Sequence, residues 1–82
     1  MVAVPGVQVS VDDGARTARV EVWLASRDRP LAFSVDPARD GHGWEIREPV
    51  GGVFAWRESF QSALGVAVAA ANGALGGAAD WR

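Results

Sequence analysis

Residues 59–79, SFQSALGVAVAAANGALGGAA, form a stretch of twenty-one residues without a single charged side chain, in a chain otherwise dotted with Arg, Asp and Glu. Phe60, Ala63, Leu64, Ala67, Val68 and Ala71 recur within it at the i, i+3, i+4, i+7 spacing of a helix with one buried face. The opposite side of that helix is also apolar. It carries Gly65, Ala69, Gly73 and Gly77 at intervals of four, with Val66 and Ala70 beside them. Ser59 is suited to cap the N-terminus through its hydroxyl, and Glu58 suits the positive end of the helix dipole. Asn72-Gly73 reads as a C-terminal stop, so the helix is expected over residues 59–72, with Phe60, Leu64 and Val68 turned to the core. Continuation to Gly77 is the alternative, at about 1 kcal/mol per interior glycine.

Upstream of the helix the apolar period shortens to two, the mark of strands. Val7, Val9 and Val11 alternate with Gln8, Ser10 and Asp12. Asp12-Asp13-Gly14 is a turn signal, with Gly14 as the source of a positive φ. In residues 17–25, Ala18, Val20, Val22 and Leu24 alternate with Thr17, Arg19, Glu21 and Trp23, which predicts a hairpin with the first strand. A third strand runs from Leu31 through Phe33 to Val35 and is expected to end at Asp36-Pro37, since proline cannot donate to a ladder. Trp44 and Ile46 alternate with Glu45 and Arg47 in a fourth. Residues 53–57 make a fifth, with Phe54 and Trp56 on one face and Val53 and Ala55 on the other. The fold class is α+β: a five-stranded antiparallel meander with one C-terminal helix packed on one face. Residues 1–77 read as the single domain, and residues 78–82, with Trp81, as a tail.

Composition narrows the chemistry. A domain of 82 residues buries only about 60% of its unfolded surface and often needs reinforcement. With no Cys there is no disulfide or thiolate site, and with one His there is no multi-histidine site within one chain, which leaves oligomerisation as the expected support. All eight cations are Arg, which removes lysine chemistry, and the Ala, Gly, Val and Arg bias is that of a high-GC bacterial or phage genome. The net charge of −2 is spread evenly along the chain. No basic, then apolar, leader is read at the N-terminus. The uncharged stretch is long enough for a bilayer, but Gln61, Asn72 and its glycines argue against a span, so a cytoplasmic location without membrane contact is expected.

No catalytic or cofactor site is expected. Asp36, Asp40, His42 and Glu45 are the one group with metal-ligand chemistry, but their spacing matches no motif, and a solvated loop is the plainer reading. None of Ser10, Ser26, Ser34, Ser59 and Ser62 lies in a nucleophile elbow. The leading reading is a small non-catalytic protein-binding domain, a homodimer or an inhibitor or accessory regulator docking on a larger protein complex. Its interface would use Gly65, Val66, Ala69 and Gly73 on the helix, with Trp23, an aromatic flanked by polar residues on the second strand. The alternative is a nucleic-acid-binding regulator that uses Arg19, Arg27, Arg29 and Arg47 with Trp23 on the sheet. Trp44, Phe54, Phe60 and Ala63 give the last forty residues a resemblance to small strand–strand–helix DNA-binding modules, such as integrase N-terminal domains, which implies the same partner. Against it, Glu21, Asp28, Glu45 and Glu48 interleave with the arginines and cancel much of the attraction for phosphate.

Overall fold

The computed structural model describes residues 6–25 and 27–76. Five strands are followed by one helix: β1 (Gly6–Asp12), β2 (Thr17–Trp23), β3 (Leu31–Pro37), β4 (Trp44–Arg47), β5 (Val53–Arg57) and α1 (Phe60–Leu75). The strands pair in chain order, β1-β2-β3-β4-β5, each antiparallel to the next, and α1 packs across one face. This is the expected α+β meander. Ser26, Gly77 and the tail with Trp81 lie outside the described residues.

Registered pairing converts the alternation of each strand into rows across the sheet. One row on the helix side runs Val11–Ala18–Val35–Ile46–Ala55, a second Val9–Val20–Phe33, a third Val7–Val22–Leu31. Val20, Val22, Phe33, Val35 and Ile46 are fully buried and are the largest side chains to be so. Trp44 also faces this side. Its ring meets Phe60 at 6.0 Å, and its Nε1–H donates to the Arg16 carbonyl at 3.1 Å. That carbonyl is presented by a left-handed residue. Arg16, with φ of 55°, supplies the positive φ of the β1–β2 turn in place of Gly14, while Asp12 Oδ1 accepts the Ala15 N–H at 3.1 Å.

The helix meets the sheet along alanines. Ala63, Ala67, Ala71 and Ala74 are its buried residues, whereas Phe60, Leu64 and Val68, expected at the centre of the contact, are half-buried along its margin. A seam of methyl groups lets the backbone approach closely, so the volume of the core comes from the sheet. Ser59 caps as expected, its Oγ accepting the Ser62 N–H at 3.1 Å. The expected stop at Asn72-Gly73 does not occur. The helix continues to Leu75 and ends at Gly76, because the added turn buries Ala74 and packs Leu75 on the core. That gain exceeds the cost of about 1 kcal/mol for an interior glycine.

Three strands also depart from expectation. β2 ends at Trp23, short of Ala25. β3 extends through Pro37, which pairs with Trp44 at the last position, where a missing N–H costs least. β5 carries a bulge opposite Ile46/Arg47 that separates Phe54 from Trp56. Trp56 pairs with Glu45 on the open face, while Phe54 meets the buried Phe33 edge-on, with centroids 6.1 Å apart and planes at 73°. Extending the β3–β4 register would set Glu48 opposite Phe33. Glu48 has instead left β4 to form the turn, and Phe54 occupies the end of that apolar row.

The same packing predicts two opposite substitution effects. Gly73 sits in the helix with open space where a side chain would project. Gly73→Ala should raise unfolding stability by about 0.5–1 kcal/mol. Ala67→Leu, on the seam, should lower it by about 1–3 kcal/mol through overpacking. Urea unfolding midpoints would read both, and a stabilised Ala67→Leu would show that the helix does not sit close to the sheet.

Candidate functional site

The face of the sheet away from α1 has no second layer among the described residues. Alternation places Gln8 and Ser10 of β1 there, with Thr17, Arg19, Glu21 and Trp23 of β2, Ala32, Ser34 and Asp36 of β3, Glu45 and Arg47 of β4, and Trp56 of β5. Arg19 Nε donates to Glu21 Oε2 at 3.1 Å, and Arg47 Nη2 to Glu45 Oε1 at 3.2 Å. In both pairs the partner is two residues away on the same strand, the spacing that returns a side chain to the same face. Arg47 Nη1 also donates to the Gly51 carbonyl of the β4–β5 turn at 3.1 Å. Such solvated pairs add little stability. Their effect is to hold two guanidinium planes in fixed places.

Between these arginines lies an open depression of about 530 Å³. Ala32 and Ser34, small residues of the central strand, are among its lining. Arg19, Arg27, Arg29 and Arg47 surround it, and Pro30, Pro49 and Val50 give it apolar walls. The four arginines named from sequence therefore share one site. Trp23, expected beside them, does not line it. That residue is half-buried at the end of β2, opposite Gly6. A second depression, of about 370 Å³, lies toward the β1–β2 turn and is lined by Ser10, Asp12, Arg19, Ser34 and Asp36 among others.

On the helix, Gly65 and Ala69 are exposed and Gly73 is half-buried, all on the side away from the sheet. Val66 differs from the expectation of a free interface residue, since it is half-buried and packs against the domain's own core. In the β3–β4 loop, Asp40 Oδ1 accepts the His42 backbone N–H at 3.0 Å, which makes a local turn of two members of the possible metal group. Among the described residues no three His, Asp or Glu side chains gather as a metal site.

Sequence reasoning missed the β5 edge. As the last strand in the order, β5 has one backbone edge without a strand neighbour among the described residues. Val53, Phe54 and Trp56 keep 46%, 39% and 47% of their surface exposed, and Val50 of the preceding turn keeps 60%. The available signal was a strand apolar on both faces at the end of a meander, since only an edge strand can be both apolar on two sides and thinly covered. Trp56 is fixed nonetheless. Its Nε1–H donates to the His42 carbonyl at 2.9 Å, and its ring lies over Gly43.

No family model, curated protein or solved structure matches this chain. The strand–strand–helix resemblance thus rests on Trp44, Phe54, Phe60 and Ala63 alone.

Gly43 and Gly41 provide a test of how firmly Trp56 is held. Both have left-handed backbones, with φ of 76° and 86°. A Cβ on Gly43 would lie 2.5 Å from the Trp56 ring and 2.6 Å from the Arg57 carbonyl, whereas one on Gly41 would meet nothing within 4 Å. Gly41→Ala should cost about 1–2 kcal/mol, the left-handed strain alone. Gly43→Ala should cost about 2–4 kcal/mol, because the indole must also shift and lose its hydrogen bond. Equal costs in chemical denaturation would show that Trp56 does not rest on this loop.

Proposed function

We propose that the chain is a small non-catalytic protein-binding domain, acting as a homodimer or as an inhibitor or accessory regulator that docks on a larger protein complex. The exposed β5 edge supports this reading most directly. With no strand beyond it among the described residues, the outer edge of β5, with the exposed Val53 and Trp56, offers both main-chain hydrogen bonds and apolar contact to an added strand. Natural edge strands are commonly blunted by charge, proline or a bulge; β5 has its bulge and Arg57 at its end, but no charge or proline in residues 53–56. The outer side of α1 adds a second surface, small at Gly65 and Ala69 and free of charge along the whole helix. The chain has one His, no Cys and no Lys, and the same reading takes its compartment to be cytoplasmic. No described helix is long and apolar enough to cross a membrane.

The alternative, a nucleic-acid-binding regulator, is favoured by the gathering of Arg19, Arg27, Arg29 and Arg47 around one depression. It is weakened by the absence of any aromatic ring from that lining among the described residues, since single-stranded bases are held chiefly by stacking.

Solution mass by light scattering, from micromolar to millimolar protein, tests the leading reading. A reversible dimer is expected, returned to monomer by Val53→Lys, with the unfolding midpoint of the variant nearly unchanged. If Ala69→Arg disrupts the dimer and Val53→Lys does not, the helix is the interface. A wild-type chain that stays monomeric throughout removes the homodimer and leaves docking on a different protein.

A further inference from the structure

We infer that the depression among the four arginines binds the carboxylate side chains of an acidic peptide segment in a partner protein. This rests on the protein-binding reading above and names the chemistry of the partner.

Four positive side chains line the space, against Glu48 as the only acid among its described lining residues. Glu48 lies back over the turn, with Oε1 3.4 Å from where a Cβ of Gly52 would project. Glu21 and Glu45 are already engaged by Arg19 and Arg47 and do not line the depression. Arg19 meets Glu21 through Nε, which leaves its two terminal nitrogens without a partner among the described residues. The side chains of Arg27 and Arg29 likewise have no ion pair or hydrogen bond there. A guanidinium matches a carboxylate in plane and spacing through two parallel N–H donors, so the forks of Arg19, Arg27 and Arg29 suit carboxylates, while Arg47, whose Nη1 and Nη2 donate to the Gly51 carbonyl and Glu45, adds charge alone.

The identity of the anion follows from what surrounds the arginines. Pro30, Pro49 and Val50 offer apolar contact to a peptide, and no ring is present for a base to stack on. A net charge of −2 on the whole chain opposes a long polyanion more than a short acidic segment. The volume of about 530 Å³ admits a few side chains, in the range of ordinary small-ligand sites.

Fluorescence anisotropy with labelled hexaglutamate tests the inference, with labelled hexathymidylate as the competing class. Hexaglutamate should bind the wild-type chain more tightly than hexathymidylate and weaken as salt rises. Arg27→Gln combined with Arg29→Gln should lower hexaglutamate affinity at least about tenfold, the loss expected for removing one or two charge-assisted contacts. Arg39→Gln, an exposed arginine outside the depression, should leave it unchanged. Both Gln replacements lie on exposed side chains, and an unaltered circular dichroism spectrum would verify the fold. Absence of hexaglutamate binding, tighter binding of hexathymidylate, or an equal loss in Arg39→Gln would each overturn the proposal. Light scattering on the same samples separates the two readings. Association without carboxylate binding rejects this site and leaves protein binding standing.

Discussion

The close approach of one helix to five strands along an alanine seam is the constraint on which the rest of the structure depends. Ala63, Ala67, Ala71 and Ala74 contribute almost no volume, so Phe33, Ile46, Val20, Val22 and Val35 must supply it from the sheet. Five strands span roughly 19 Å between their outer axes, and a helix with its side chains is roughly 10–12 Å wide. A single helix therefore covers the middle strands and leaves both margins thin. Val9 and Val11 on β1 face the helix side yet keep 43% of their surface, and Phe54 on β5 keeps 39%. Part of the exposed apolar surface is thus a geometric result of the architecture. Val53 and Trp56 are not explained that way. Both pair with residues of the open face, Val53 with Arg47 and Trp56 with Glu45, where helix coverage has no bearing.

Two arginines of that open face are paired in place: Arg19 with Glu21 and Arg47 with Glu45 are pairs within a strand, formed without the help of a second layer. Arg27 and Arg29 at its margin have no such pair among the described residues. The face also holds a depression, lined by Ala32 and Ser34 of β3 and by residues of the β4–β5 turn and around Pro30.

Strand number, the faces of β1 to β4, the helix and its Ser59 cap were legible because each depends on local pattern. The bulge in β5 instead puts Phe54 and Ala55 on the helix side and Val53 and Trp56 on the open face, against the simple alternation expected there. Alternation in residues 17–23 is enough to put Val20 and Val22 inward and Arg19 and Glu21 outward, whatever the neighbours are. The features that were missed depend on contacts far apart in the chain. The last turn of α1 is retained by the burial of Ala74 against the core, which no C-cap rule contains. The bulge in β5 exists because Glu48 leaves β4 early and a place beside Phe33 falls open. Arg16 is left-handed in a turn that offers Gly14 nearby, and its carbonyl is held by Trp44, twenty-eight residues on. At the candidate site the residue types were legible and their convergence was not. Arg19 and Arg47 come from β2 and β4, which meet only through β3 between them, and Arg27 and Arg29 come from a loop without periodicity.

The meander also imposes an order of events during synthesis. Every strand pairs with the one made just before it, so the sheet can close hairpin by hairpin, with short loops and little entropic delay. Its described cover, α1, follows the strands in residues 60–75. Once β5 has left the ribosome, the three apolar rows can form before α1 is free to lie over them. The interval before α1 emerges is the one in which a nascent chain of this kind is most open to a second nascent chain, through the bare apolar rows and the outer edge of β5, which has no neighbour among the described residues.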